Sequence, residues 1–205
     1  MEQKTHWESV YTTKAPDQVS WYTPHLETSL ALIDRLALGP NAAILDVGSG
    51  ESTLVDDLLE RGYKDISLLD LSDEAQRVTR ERLGPSASKV HWLTDNVCNI
   101  PLSSARYDLW HDRAVFHFLT HPQQQAAYVL QASKTLKPQG HIIIGVFGPQ
   151  GPTRCSGLNV VRYDASSLQS TFADHFRLLD SQIVSHTTAS GSDQQFIYAV
   201  LRKLQ

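Results

Sequence analysis

The chain is short of several things, and each shortage excludes something. It has two cysteines in 205 residues, Cys98 and Cys155, and no Cys-x-x-Cys pair. A disulfide framework and a zinc site built on paired cysteines are therefore not expected, and no metal site is assigned. It has no basic excess: 18 Lys and Arg stand against 22 Asp and Glu, for a formal charge of -4. Nucleic-acid binding proteins carry a basic footprint, so nucleic acid is not an expected partner. It has no long apolar run. The longest, "HIIIGVFG", is far too short to span a bilayer, and "MEQKTHWESVYTTK" lacks the apolar stretch of a signal peptide. The expectation is a cytoplasmic protein without a membrane partner, a monomer or weak dimer. No repeat or linker interrupts the chain.

What is present is a pattern of alternating elements. Strands are predicted in "NAAILDV", "KDISLLD", "KVHWLT", "YDLWHD" and "HIIIGVF", separated by helical segments. "THWESVYTTK" reads as a short helix. "WYTPHLETSLALIDRLAL" reads as another, with Pro24 in its first turn and Leu26, Leu30, Ile33 and Leu36 on one side. Ser52 and Ser72 are placed to start helices that Gly62 and Gly84 end. Lys137-Pro138-Gln139-Gly140 reads as the end of the helix over "PQQQAAYVLQASKTL". "DASSLQSTFADH" is a last helix. "FRLLDSQIVSHT" and "QQFIYAVLRK" are strands joined by "TASGSD" into a hairpin. Alternation of this kind predicts an α/β fold: a doubly wound, seven-stranded, mostly parallel sheet with a C-terminal antiparallel hairpin. One domain is expected. Residues 1–38 would give N-terminal helices over the site, 39–147 the cofactor-binding core, and 148–205 an acceptor loop, a helix and the hairpin.

Ligands of such sheets bind outside the carboxyl ends of the strands. Four strand ends carry unusual chemistry. Asp46-Val47-Gly48-Ser49-Gly50 closes the first strand with a glycine turn that lets a ligand approach the backbone. The dinucleotide pattern G-x-G-x-x-G would need a third glycine, where Thr53 stands. Asp46 would repel a pyrophosphate and welcome a cation. Asp70 ends the second strand and can accept both hydroxyls of a ribose, which nicotinamide cofactors and S-adenosylmethionine both offer. Asp95-Asn96-Val97 ends the third and can receive an adenine amino group, with Leu71 and Val97 beside the ring. The fourth ends in His111-Asp112-Arg113, a poor filling for a core.

Taken together, "ILDVGSGESTL", "LLDLS", "LTDNV" and "YDLWHDRAVFHFL" resemble, in order and spacing, the motifs of class I S-adenosylmethionine-dependent methyltransferases. The resemblance implies a Rossmann-like methyltransferase fold and S-adenosylmethionine as cofactor, with S-adenosylhomocysteine as product. It places Asp46, Gly48, Ser49 and Gly50 on the methionine side, with Thr53 next to them. It places Asp70 on the ribose, Leu71, Asp95, Asn96 and Val97 around the adenine, and His111 beside the transferring methyl. The chain also resembles bacterial methyltransferases related to the citrate synthase and elongation-factor lysine methyltransferases. Those commonly read Asp-Lys-Gly where this chain has Asp112-Arg113-Ala114. Their N-terminal aromatics fold over the cofactor, which would put Trp7, Tyr11, Trp21 and Tyr22 there.

The acceptor chemistry expected is an in-line displacement, in which positioning dominates and a base serves only a protonated acceptor. His111, Asp112 and Arg113 are the catalytic candidates. A helix over 113–119 would put His117 on the face of Arg113. Asp112 could hold an amine or orient an imidazole; Arg113 could bind an anion or pair with Asp112. Arg154, Cys155 and Arg162 would stand beside the acceptor mouth. The expected reaction is methyl transfer to a small molecule such as a thiol, a metalloid or another metabolite. A protein lysine acceptor is the alternative. A nicotinamide-dependent oxidoreductase and a non-catalytic cofactor-binding module are the readings from other classes.

Overall fold

The computed structural model describes residues 2–188 and 191–205. The chain alternates strands and helices through most of its length. In order come α1 (Glu2–Thr13), α2 (Glu27–Arg35), β1 (Ala43–Val47), α3 (Leu54–Glu60), β2 (Asp65–Asp70), α4 (Asp73–Leu83), β3 (Val90–Thr94) and β4 (Tyr107–Arg113). Then follow α5 (Pro122–Thr135), β5 (Leu136–Phe147), the two-residue strands β6 (Arg154–Cys155) and β7 (Leu158–Asn159), α6 (Ala165–Phe172), β8 (Phe176–Thr187) and β9 (Asp193–Lys203). The main sheet has seven strands in the order β3-β2-β1-β4-β5-β9-β8. β1 to β5 pair in parallel, and β9 runs antiparallel between β5 and β8. This is the doubly wound, mostly parallel seven-stranded sheet with a closing antiparallel hairpin expected from the alternation. The expected connection at 188–193 includes residues 189 and 190, which lie outside the described residues. Among the described residues no helix is long and apolar enough to cross a membrane.

Strand residues point alternately to the two faces, so each face buries its own core. On one side Ile44, Leu109 and Ile143 pack with Leu30 and Ile33 of α2 and Leu54 and Leu58 of α3. On the other, Leu45, Trp110 and Ile142 pack with Tyr128 and Ala132 of α5 and Leu168 and Phe172 of α6. Central strands covered on both faces are apolar throughout, which is why β1 and the end of β5 read as continuous runs.

Three local expectations fail. Pro24 does not open α2, which begins at Glu27. Thr23 Oγ1 donates to His25 O at 2.8 Å, and His25 Nδ1 lies 2.9 Å from Asp57 of α3. These local bonds hold residues 23–26 in a turn that competes with the helix. Residues 113–119 form only a 3-10 turn, Phe116–Phe118. Ala114 takes a left-handed φ of 69°, and Asp112 accepts from Val115 N and Phe116 N at 3.0 and 3.1 Å. Arg113 and His117 therefore share no helical face. Lys137-Pro138-Gln139-Gly140 lies within β5. Leu136 pairs with Tyr107, the register shifts, and pairing resumes with His141 opposite Leu109.

Candidate active site

The parallel strands deliver their last residues to one cavity of about 1040 Å³, counted to its open mouth. Asp46 on β1 and His111 on β4 are side by side in register. Both are buried, and Asp46 Oδ1 accepts from His111 Nδ1 at 2.7 Å. The other ring nitrogen lies 2.9 Å from Ser29 Oγ on α2. Both imidazole nitrogens are thus engaged by Asp46 and Ser29.

Asp46 Oδ2 and Ser49 Oγ, by contrast, are buried without a partner, on residues that line the cavity. A buried polar atom left unpaired costs about 1–3 kcal/mol, so the pair marks where a polar ligand group belongs. Asp70 accepts from Gly50 N and Ser72 N, both at 2.8 Å, which leaves each oxygen a further lone pair. Burial pushes its carboxyl up to about 6 against the pull of those amides. Leu71, Asp95, Asn96 and Val97 line the same end. The arrangement fits S-adenosylmethionine: orphan acceptors for the methionine end, a carboxylate for the ribose, and an apolar slot with Asp95 and Asn96 for the adenine.

Two glycines do something the sequence did not suggest. Gly48 and Gly50 have φ of 62° and 50°, but the space a Cβ would need is taken by protein. At Gly48 it would collide with the Val115 side chain, and at Gly50 it would meet the Tyr11 hydroxyl at 2.5 Å. Gly48 lines the cavity, whereas Gly50 acts through its N–H to Asp70.

The far end of the cavity is aromatic. Trp7 from α1 meets Phe118 and Trp21 edge-on, with centroids 5.1 and 5.9 Å apart, and Tyr11 packs against Trp21 at 6.4 Å. Arg113 and Cys155 line this end too. Burial holds the Cys155 thiol up at about 11, so it is neutral near pH 7.

Alternation along β4 sorts the motif His111-Asp112-Arg113. His111 and Arg113 face the cavity, while Asp112 faces α5 and does not line it. Its carboxylate accepts from Tyr128 Oη at 2.6 Å and from the two amides of the 3-10 turn. Asp112 is a buried cap, not an acceptor-side group. The structure also gives no Asp112–Arg113 ion pair.

Other expected residues stand outside the cavity. His117 is packed between Phe118 and Phe147, accepts from Phe147 N on Nδ1, and is driven down to about 3 chiefly by desolvation. Thr53 occupies the N-cap position of α3 without a side-chain capping bond and donates weakly to Thr23 O. Tyr22 donates its N–H to Val19 O and does not reach the cavity lining. Arg154 is exposed and donates to Gly157 O, and Arg162 reaches Gly151 O at 3.5 Å. Sequence reasoning missed Ser29, Leu26, Val115, Phe118 and Leu119. Ser29 had no signal, because its partner lies 82 residues away. Phe118 had one, in "FHFL" directly after the motif.

The fold is the Rossmann-like one shared with solved methyltransferase structures. Comparison with known proteins agrees. Residues 44–140 match the family model described as a methyltransferase domain. The match is to the cofactor-binding stretch of the fold, and S-adenosylmethionine is the cofactor this likeness supports. Among curated proteins, the mouse eEF1A lysine and N-terminal methyltransferase is 21% identical over 138 residues, 67% of this chain. The cattle counterpart matches equally, and the chain spans only 19% of the length of these relatives. Among solved structures, Burkholderia thailandensis 1,6-didemethyltoxoflavin-N1-methyltransferase, with its substrate and S-adenosylhomocysteine bound, is 23% identical. It aligns at a TM-score of 0.71 over 100% of this chain and 85% of its own. A structure from work on conversion of a disulfide bond into a thioacetal group in echinomycin biosynthesis aligns at 0.81, with 16% identity over 98% and 93%.

Proposed function

We propose that this chain moves a methyl group from S-adenosylmethionine to a small-molecule nucleophile. The observation that carries the reading is one cavity lined both by acids and the glycine turn and by the aromatic side chains of Trp7, Tyr11, Trp21 and Phe118. The cofactor supplies a methyl group on positively charged sulfur. Asp46, held by His111, and Ser49 receive its methionine end, and Asp70 receives the ribose. Asp95, Asn96, Leu71 and Val97 enclose the adenine. Trp7, Tyr11, Trp21 and Phe118 exclude water and press the acceptor toward the methyl, which is the main demand of an in-line displacement. The Burkholderia neighbour acts on a small heteroaromatic, in keeping with this aromatic lining. Two unpaired cysteines suit a reducing cytoplasm.

A protein lysine acceptor is the second reading, favoured by the eEF1A methyltransferase match and by the resemblance of the sequence motifs to the citrate synthase and elongation-factor lysine methyltransferases. Arg113 and Ala114 replace the Lys-Gly of that group.

Calorimetry tests the cofactor assignment. S-adenosylhomocysteine is expected to bind and NAD not to bind. Asp70→Ala should weaken the former by about 1–3 kcal/mol, the scale of hydrogen bonds to a charged group. Unchanged affinity would remove Asp70 from the ribose. Methyl transfer from labelled cofactor should appear in the metabolite fraction of a lysate; label confined to protein would overturn the small-molecule acceptor.

A further inference from the structure

The cavity lining carries three acids and one arginine. The acids Asp46, Asp70 and Asp95 mark where a cationic ligand belongs. Arg113 is a cation without an anion. Its Nε donates to Tyr198 Oη at 3.0 Å and its Nη1 to Trp21 O at 2.7 Å, both neutral acceptors. Its plane lies over Phe196, 5.5 Å from the ring centroid. Among the described residues no carboxylate forms an ion pair with it, and Nη2 has no hydrogen-bond partner. The adjacent Asp112 is committed to α5 on the opposite face of the sheet.

The groups around the guanidinium do not supply the missing charge. The Cys155 thiol is kept neutral by burial. His186 Nε2 lies 2.8 Å from Ser20 O, and His117 is a neutral, packed imidazole. A half-buried guanidinium gives up part of its hydration, and a planar oxyanion restores the loss through paired N–H···O bonds. Its position is also fixed rather than adventitious. Gly145 lies opposite both Arg113 and Tyr198 in the sheet, and a Cβ there would come within 2.7 Å of the tyrosine ring. The missing side chain lets that ring lie flat and bring its hydroxyl to Arg113. The remaining walls, Trp7, Trp21 and Phe118, are flat and apolar.

We propose that the methyl acceptor is an aromatic molecule bearing a carboxylate, bound with its ring among Trp7, Trp21 and Phe118 and its carboxylate on Arg113. This rests on the methyl-transfer reading above and names the substrate class for it. In the transfer, a lone pair on the acceptor's nucleophilic atom forms the new bond to the methyl carbon. The carbon–sulfur bond breaks with its electron pair left on sulfur, giving S-adenosylhomocysteine. Any proton on the nucleophile passes to water.

The test is calorimetric titration of the protein saturated with S-adenosylhomocysteine, using matched sets: indole-3-acetate with indole-3-acetamide and tryptamine, and 2-naphthoate with 2-naphthamide. Each acid should bind at least about tenfold tighter than its amide, the scale of a charge-assisted hydrogen bond, and the amine most weakly. Arg113→Gln should abolish the preference and Arg113→Lys should keep part of it. Should the glutamine variant not fold, the comparison within the unaltered protein still decides. Amides or the amine matching the acids, or no binding by either acid, overturns the proposal. The first titration, of S-adenosylhomocysteine itself, separates the two failures. Its binding with no acid preference refutes the anchor alone, whereas its failure to bind refutes the methyl-transfer reading.

Discussion

Tyr128 stands between two buried polar groups. Trp110 Nε1 donates to its hydroxyl at 2.7 Å, and the hydroxyl donates to Asp112 Oδ2 at 2.6 Å. None of the three lines the cavity, yet the chain Trp110–Tyr128–Asp112 fixes the turn that sets Val115 against Gly48. Burial pushes the Asp112 carboxyl up to about 6, and the Tyr128 hydroxyl is the first of the groups pulling it back. Tyr128→Phe would leave the indole N–H without an acceptor and the carboxyl short of a donor. We expect a loss of about 1–3 kcal/mol in stability, read as a lowered melting temperature, with affinity for S-adenosylhomocysteine unchanged. An unaltered melting temperature would show that the network is dispensable. The same residues show what a motif hides. The outer two residues of "HDR" line the cavity and the one between them is buried in the core, because adjacent strand residues face opposite sides.

Helix α1 carries Trp7 and Tyr11 over the cavity, and its attachment is electrostatic. Glu8 accepts from Ser72 Oγ and Asp73 N at 2.8 Å and from Glu74 N at 3.2 Å, so its carboxylate occupies the N-terminal end of α4. Free amides and the helix dipole both favour an anion there. Lys4 adds an exposed pair with Asp73, which is worth little alone. Glu8→Ala should release α1, seen as roughly tenfold faster hydrogen exchange across residues 2–13, the scale of a lost charge-assisted bond. The sheet should exchange as before. Equal exchange in α1 would mean that its aromatic packing alone holds it. This latch was not legible in the sequence, where Glu8 and Ser72 lie 64 residues apart. The strands were legible, because burial on both faces leaves an apolar run whatever the neighbours. So was the cap of α4: Ser72 accepts from Ala75 N, as its place before Asp73-Glu74 suggested, whereas at α3 the N-cap position falls to Thr53 and not to the expected Ser52. Pro24, the segment 113–119 and Lys137-Pro138-Gln139-Gly140 were misread, because side-chain bonds and sheet register from elsewhere decide them. Of the cofactor end, Asp46, Asp70 and Asp95 were visible as acids closing strands. The bond from Asp46 to His111 appears only when β1 and β4 are set in register.

At the scale of the molecule, two buried acids tie stability to the cavity. Burial raises Asp70 to about 6 and Glu51, behind the glycine turn, to about 7, in the latter case against Arg82. An unfolded chain gives up these protons near pH 4, at about the reference values for the two side chains. Between pH 4 and 7 the folded chain therefore holds more protons than the unfolded one. The stability these groups contribute is present below about pH 4 and lost as pH rises through 6 and then 7. Asp112 adds to the same trend, but it lies away from the cavity. Cofactor binding acts in the opposite sense on the other two. Ribose hydroxyls donate to ionised Asp70, and the ammonium of S-adenosylhomocysteine favours charge on both acids. The complex therefore prefers the deprotonated cavity, and binding releases protons below neutrality. The rise in melting temperature caused by saturating S-adenosylhomocysteine should be greater at about pH 7.5 than at about pH 5.5. Thermal scans with and without it at the two values measure this directly. Asp70→Asn should flatten the difference, whereas Tyr128→Phe, which perturbs only Asp112, should leave it intact. An equal rise at both values would mean that Asp70 is already ionised in the empty cavity, and that its burial imposes no charge on the ribose site.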